Sequence, residues 1–209
     1  MSISTLSQAG MAECEKAGRE EGLAAGLAAV LSGTSVAETA PGRYAAVPAA
    51  GAEGAGPDGG ATVLRHRLAD AEGVVFVECP GQHPDGGPTW TEVARLLAAV
   101  RLGVLRAALD RAVEHLSGRE SGGEPLIRKQ LIVGAIADVM AGSEMLRASV
   151  ATQGGPAALA DVHTRLDVLG WEVLKLFGAA GYLAEGPGRA LYVSALVAGT
   201  WVPREEVSE

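Results

Sequence analysis

From residue 89 onward, apolar positions recur with a helical period in four blocks separated by glycine- and proline-rich breaks. The first block runs from Thr89 to about Leu116. Its two overlapping apolar sets are Val93/Leu97/Val100/Val104/Ala108 and Leu102/Leu105/Leu109/Ala112/Leu116. Together they cover far more than the stripe of about 100° that a surface helix buries. This helix is therefore expected to touch elements on two sides, and the second face is expected to make the protein an oligomer. The second block opens at Ser121-x-x-Glu124, a capping-box spacing that Thr89-x-x-Glu92 shares, with Pro125 in the first turn. Ile132, Ile136, Val139, Ser143, Leu146 and Val150 then form one small or apolar stripe. The third block starts at Gly154-Gly155-Pro156 and carries a seam of Leu159, Val162, Leu166, Leu169, Val173 and Leu176, with Asp161 and Arg165 as an i,i+4 pair. Such a seam is the spacing of near-antiparallel bundle packing. Residues 188–198 give a short fourth helix, and the acidic end WVPREEVSE is expected to fray. The pattern predicts a mainly α protein whose residues 89–209 form a four-helix up-and-down bundle.

Residues 1–88 read differently. A helix is expected over residues 7–31, with Gly18, Gly22 and Gly26 giving a flat face against which another helix can approach closely. A Gly/Ala/Pro-rich loop follows to Gly60. Residues 61–68 and 74–78 are rich in apolar and β-branched residues and read as two strands joined by a short hairpin connection, with Tyr44 to Val47 as a third strand. Cys79 to Pro88 is then a linker, so a small β unit precedes the bundle.

Hydrophobic residues make up 48% and charged residues 20%, enough to bury a core. A net charge of −8 without any Lys/Arg cluster excludes a nucleic-acid face. There is no basic N-terminal region and no apolar run long enough to span a bilayer, so no membrane role and a cytoplasmic location are expected. Cys14 and Cys79 lack metal-site spacing and are expected to be reduced thiols, and no metal site is assigned. His66, His83, His115 and His163 read as solvated or locally paired side chains. Asp138, Glu144 and Arg147, like Asp110, Arg111 and Glu114, either line a polar pocket or form ordinary bundle surface.

Arg119, Gly123, Pro125, Leu126 and Gln130 are in register with an R-x-x-F-G-x-P-L-x-x-x-Q signature, and residues 176–192 with a G-G-x-G-Y segment followed by Pro, Arg and Leu-Tyr. These motifs resemble the C-terminal helical domain of acyl-CoA dehydrogenases, over about residues 89–201. The resemblance implies that Arg119, Gln130, Gly178 and Gly181 contact FAD, with the cofactor shared between subunits. It also implies an acyl-CoA or carrier-bound acyl substrate, and places residues 1–88 where the family has larger domains. Gly122 replaces the family's aromatic, Ala179 its middle glycine, and Lys175 a usual glutamine.

Such an enzyme removes an α-proton with a carboxylate while flavin takes the β-hydride. In the family's usual Glu-Gly-Thr this chain has Ala198-Gly199-Thr200, and the alternative base register on the first bundle helix falls on Val93, with Glu92 one residue away and explained by the cap. No catalytic residue is assigned. Two readings follow: a truncated, flavin- or acyl-thioester-associated oxidoreductase subunit that lacks its own base and works in a homo- or hetero-oligomer with an acyl-CoA dehydrogenase-like subunit, or a flavin-free descendant acting as an assembly or regulatory protein, or as a non-redox enzyme on a carrier-bound intermediate.

Overall fold

The structure is a computed structural model that describes residues 3–52, 62–79, 88–152 and 154–202. The expected loop at 53–60, most of the expected linker to Pro88 and the acidic end at 203–209 lie outside the described residues.

Helix α5 (Pro88–Ser117) is the axis of the molecule, touching α1 (Ile3–Glu20), α2 (Leu23–Leu31), α6 (Gln130–Ala151), α7 (Pro156–Leu176) and α8 (Arg189–Trp201). Leu97, Ala98 and Val100 are fully buried on it, and Ala99 and Leu102 nearly so. The two-sided apolar pattern is thereby explained within the chain: α6, α7 and α8 cover one side, and α1 and α2 contribute the other. The second face of the first bundle helix therefore does not require another subunit, contrary to the expectation from the sequence. Residues from both parts of the chain share one hydrophobic cluster.

The close approach of α1 and α2 to α5 depends on glycine. A Cβ on Gly18 would overlap the carbonyl oxygen of Val100, one on Gly26 would overlap a Val100 methyl, and one on Gly103 would overlap the carbonyl oxygen of Glu15. The expected flat face is thus present at two of its three positions. Gly22 takes a different part: at φ 94° it breaks the expected 7–31 helix into α1 and α2.

A short helix α3 (Val36–Thr39) leads into the three-stranded antiparallel sheet, of order β1-β3-β2. Its strands are β1 (Tyr44–Pro48), β2 (Val63–Leu64) and β3 (Val74–Glu78), with Tyr44 opposite Glu78 and Val63 opposite Val77. The expected 61–68 strand is only two residues long. His66 Nδ1 accepts from the Ala69 N–H at 3.4 Å and Arg65 pairs with Asp70 at 3.1 Å, which turns Arg67–Asp70 into a helical turn, α4. Helix α8 seals the β1 edge. The Trp201 indole N–H donates to the Ala46 carbonyl at 2.9 Å, and the Ala46 N–H donates to Thr200 Oγ1 at 3.1 Å.

The stripe on α6 and the seam on α7 are placed as the pattern predicts, with Val139, Ser143, Leu146 and Val150 buried on α6, and Leu159, Val162, Leu166, Val173 and Leu176 on α7. The Asp161–Arg165 pair forms at 2.8 Å. The Ser121 capping box is overturned. Ser121 and Glu124 face each other across a hairpin of β4 (Glu120–Ser121) and β5 (Glu124–Pro125). Its turn is Gly122 and Gly123 at φ 64° and 77°, a two-residue turn needing positive φ at both central positions. Pro125 therefore lies in a strand, and α6 begins only at Gln130, after a 3₁₀ turn at Leu126–Arg128. Helix α5 begins at Pro88, one residue before the start the pattern predicts.

Candidate functional site

In the antiparallel bundle, the end of α5, the start of α6 and the end of α7 lie together. Arg119, just beyond α5, is exposed, and its Nη1 lies 3.2 Å from His115 Nε2. The His115 ring packs against Phe177 at 5.6 Å between centroids, and Phe177 is followed by Gly178, exposed at φ 58°. Arg119 and Gly178 are thus linked through two rings, and Gln130, the first residue of α6, is exposed at the same end. Gly181 is placed otherwise. It is buried in the 3₁₀ turn Gly178–Tyr182, where a Cβ would stand 2.6 Å from the Leu174 carbonyl oxygen. Its own chain requires that glycine. An exposed guanidinium and an unobstructed glycine backbone are the kinds of group that can contact a diphosphate. A stacking surface for adenine is not supplied by Gly122, which has no ring and a conformation suited to glycine.

The two base registers lie at the opposite end. Trp90 Nε1–H donates to the Trp201 carbonyl at 2.5 Å, tying the start of α5 to the end of α8. Three residues inward on each helix are Val93 and Ala198, 2% and 4% exposed. Glu92 accepts from Arg95 Nε at 2.8 Å and Nη2 at 2.5 Å, compensating an arginine whose side chain is only 4% exposed. Glu92 is the partner of a buried cation.

A third arrangement escaped the sequence pattern. Arg101, on α5, is 3% exposed and donates Nε–H to Ser194 Oγ at 2.9 Å, Nη1 to the His163 carbonyl at 3.2 Å, and Nη2 to Asp167. Its Nη1 also lies 3.0 Å from His163 Nδ1, while His163 Nε2 lies 3.0 Å from the Ala94 carbonyl. Burial first, then the Arg101 charge, push the His163 pKa down to about 3. The ring is a neutral imidazole that accepts at Nδ1 and donates at Nε2. This corrects the reading of His163 as a solvated or locally paired side chain. The only sequence signal was the His163–Asp167 spacing of four beside the α7 seam, since nothing in the pattern marks Arg101 as inward-facing.

Arg101, Asp167 and Ser194 floor a cleft of about 300 Å³ between α5, α7 and α8. Its walls include Leu105, Leu166, Gly170, Leu174, Leu191 and Ala195, with Trp171 and Tyr192 half exposed at the rim. Among the described residues, no three His, Cys, Asp or Glu side chains form a metal-binding group, and no helix is long and apolar enough to cross a membrane. Cys14 and Cys79 are buried free thiols, and burial raises the pKa of both, that of Cys14 to about 11.

Residues 91–154 match the family model for the acyl-CoA dehydrogenase C-terminal domain. No curated protein matches the chain. Among solved structures, a variant of the Tcur3481-Tcur3483 steroid ACAD aligns at 20% identity and TM-score 0.54, over 68% of this chain and 44% of that one. The glutaryl-coenzyme A dehydrogenase glutaryl-CoA complex aligns at 19% identity and TM-score 0.50, over 66% and 42%. An acyl-CoA dehydrogenase from Geobacillus kaustophilus aligns at 14% identity and TM-score 0.50, over 67% and 46%. The chain thus spans less than half the length of these neighbours. Its helical part is similar to the acyl-CoA dehydrogenase C-terminal domain in sequence over residues 91–154, and about two thirds of the chain shares the fold of these dehydrogenases.

Proposed function

We propose that this chain is the bundle subunit of an acyl-CoA dehydrogenase-like oxidoreductase assembly, lacking a base of its own and working beside a partner of the same family. The observation that carries this reading is the contrast between the two ends of the bundle. Arg119, Gln130 and Gly178 are exposed together, while the base positions are Val93 and Ala198 in the core. FAD would supply hydride acceptance. This chain would contribute the Arg119 cation and the exposed backbone at Gly178 to the diphosphate, with the adenine surface and the base coming from the partner. An acyl-CoA or carrier-bound acyl thioester is the corresponding substrate class.

One observation favours a second, flavin-free reading, in which the bundle is an assembly or regulatory protein: the hairpin tip at Gly122 is built on positive φ and would strain under an aromatic side chain. Visible absorbance separates the two. The protein is purified alone and after co-expression with any complete acyl-CoA dehydrogenase encoded beside it. Flavin absorbance in a stable complex supports the assembly reading; colourless protein in both preparations supports the flavin-free one.

A further inference from the structure

The cleft between α5, α7 and α8 is lined by neither Arg119 nor Gly178 and has the composition of a ligand site: apolar walls, an aromatic rim and a few convergent polar groups. At about 300 Å³ it lies at the small end of the range for such pockets, which suits a molecule of one or two rings. Its floor is polar but close to neutral overall. The Arg101 cation is matched by Asp167, and His163 behind it is uncharged. Arg101 and Ser194 are each 3% exposed and held by hydrogen bonds from separate helices, so the floor is pre-organised and not a solvated surface pair. An anionic ligand would meet the Asp167 carboxylate, and a cationic one would meet the Arg101 charge at close range. A hydroxyl complements both Asp167 and Ser194. It can donate to Asp167 and accept from Ser194, whose oxygen accepts from Arg101 and whose proton is left to donate.

We propose that this cleft binds a neutral one- or two-ring molecule through a single hydroxyl group directed at Asp167 and Ser194, with its ring edge against Trp171 and Tyr192. The inference does not rest on the flavin reading, because none of Arg119, Gln130, Gly178 and Gly181 lines the cleft. The three tryptophans make the test direct. Trp90 and Trp201 are buried at 5% and 0% exposure, whereas Trp171, at 53%, stands at the cleft mouth and reports on its occupancy.

The full chain is titrated with decahydro-2-naphthol, which is transparent where tryptophan is excited, and with decahydronaphthalene-2-carboxylate, while tryptophan emission is recorded. Gly170→Leu provides the filled cleft. A Cβ at Gly170 meets only a Leu191 methyl at 3.9 Å, so the new side chain grows into the cleft, and circular dichroism checks that the helices persist. The expected result is a saturable blue shift with the alcohol below about 1 mM, roughly tenfold weaker binding of the carboxylate, and no response in Gly170→Leu. Ser194→Ala is expected to weaken alcohol binding several-fold. Equal responses to alcohol and carboxylate, an undiminished response in Gly170→Leu, or no response to the alcohol at 1 mM would each overturn the proposal.

Discussion

His163 Nδ1 lies 3.0 Å from Arg101 Nη1, an imidazole held in the neutral state by burial and by the cation it faces. The sign of its pH effect follows. The folded pKa, about 3, lies below the unfolded value of 6.5, so between these values the unfolded state binds the extra proton. Stability from this residue is complete above pH 6.5 and is lost as pH falls toward 3. Over that window the slope should approach about 1.4 kcal/mol per pH unit. Arg101, itself paired with Asp167, also faces the ring, so the contribution is isolated by difference. His163→Gln, which can donate to Ala94 and accept from Arg101, should flatten the slope relative to the parent in urea titrations at several pH values.

Gly18 and Gly103 let α1 and α5 touch through their backbones, so Gly18→Ala and Gly103→Ala should each destabilise by about 1–3 kcal/mol. Gly134 supplies the control. It is exposed on α6, with nothing within 4 Å of the point a methyl group would occupy, and Gly134→Ala should stabilise by up to about 1 kcal/mol. Thermal melts of the three variants distinguish close packing from intrinsic helix propensity.

The bundle was legible because the spacing of Leu159 through Leu176 and of Ile132 through Val150 is a property of single helices, and burial follows that spacing. The Ser121 capping box was misread because the local motif Ser121-x-x-Glu124 competes with a Gly-Gly turn, and the turn's φ requirement won. The Arg101 network was not legible for a different reason. It joins residues on α5, α7 and α8, and no local period reports which buried arginine will find partners 62 or more positions away. The end that carries Arg119 and Gly178 stands between these cases: sequence motifs mark both residues, but the ring contact that links them depends on bundle geometry.

Assembly is expected from the outer faces of α6 and α7, not from α5. Leu131 is 87% exposed, Met145 65% and Val168 55%, an apolar surface for contact with another subunit. Light scattering should give a mass above that of one chain, and Leu131→Asp with Met145→Asp should reduce it. A monodisperse parent monomer would contradict this.

Without a carboxylate at either base register, the isolated protein should not desaturate acyl-CoA thioesters, since positioned base catalysis is worth roughly 10²- to 10⁴-fold. Ala198→Glu and Val93→Glu are not expected to restore it. Each would place a carboxylate in the core and should destabilise the fold by several kcal/mol, measured by denaturant titration alongside an artificial-acceptor assay. Turnover by either variant would show that these positions can open toward a substrate.

The division of labour between this chain and a partner is tested most directly by anaerobic reduction. The co-purified complex and each separate chain are mixed with an acyl-CoA thioester and the visible flavin absorbance is followed. The account predicts bleaching in the complex and none with this chain alone, and it predicts that Arg119→Ala in this chain lowers the flavin content of the complex. Bleaching by this chain alone, or a complex whose flavin content and reduction are unchanged by Arg119→Ala, would contradict it.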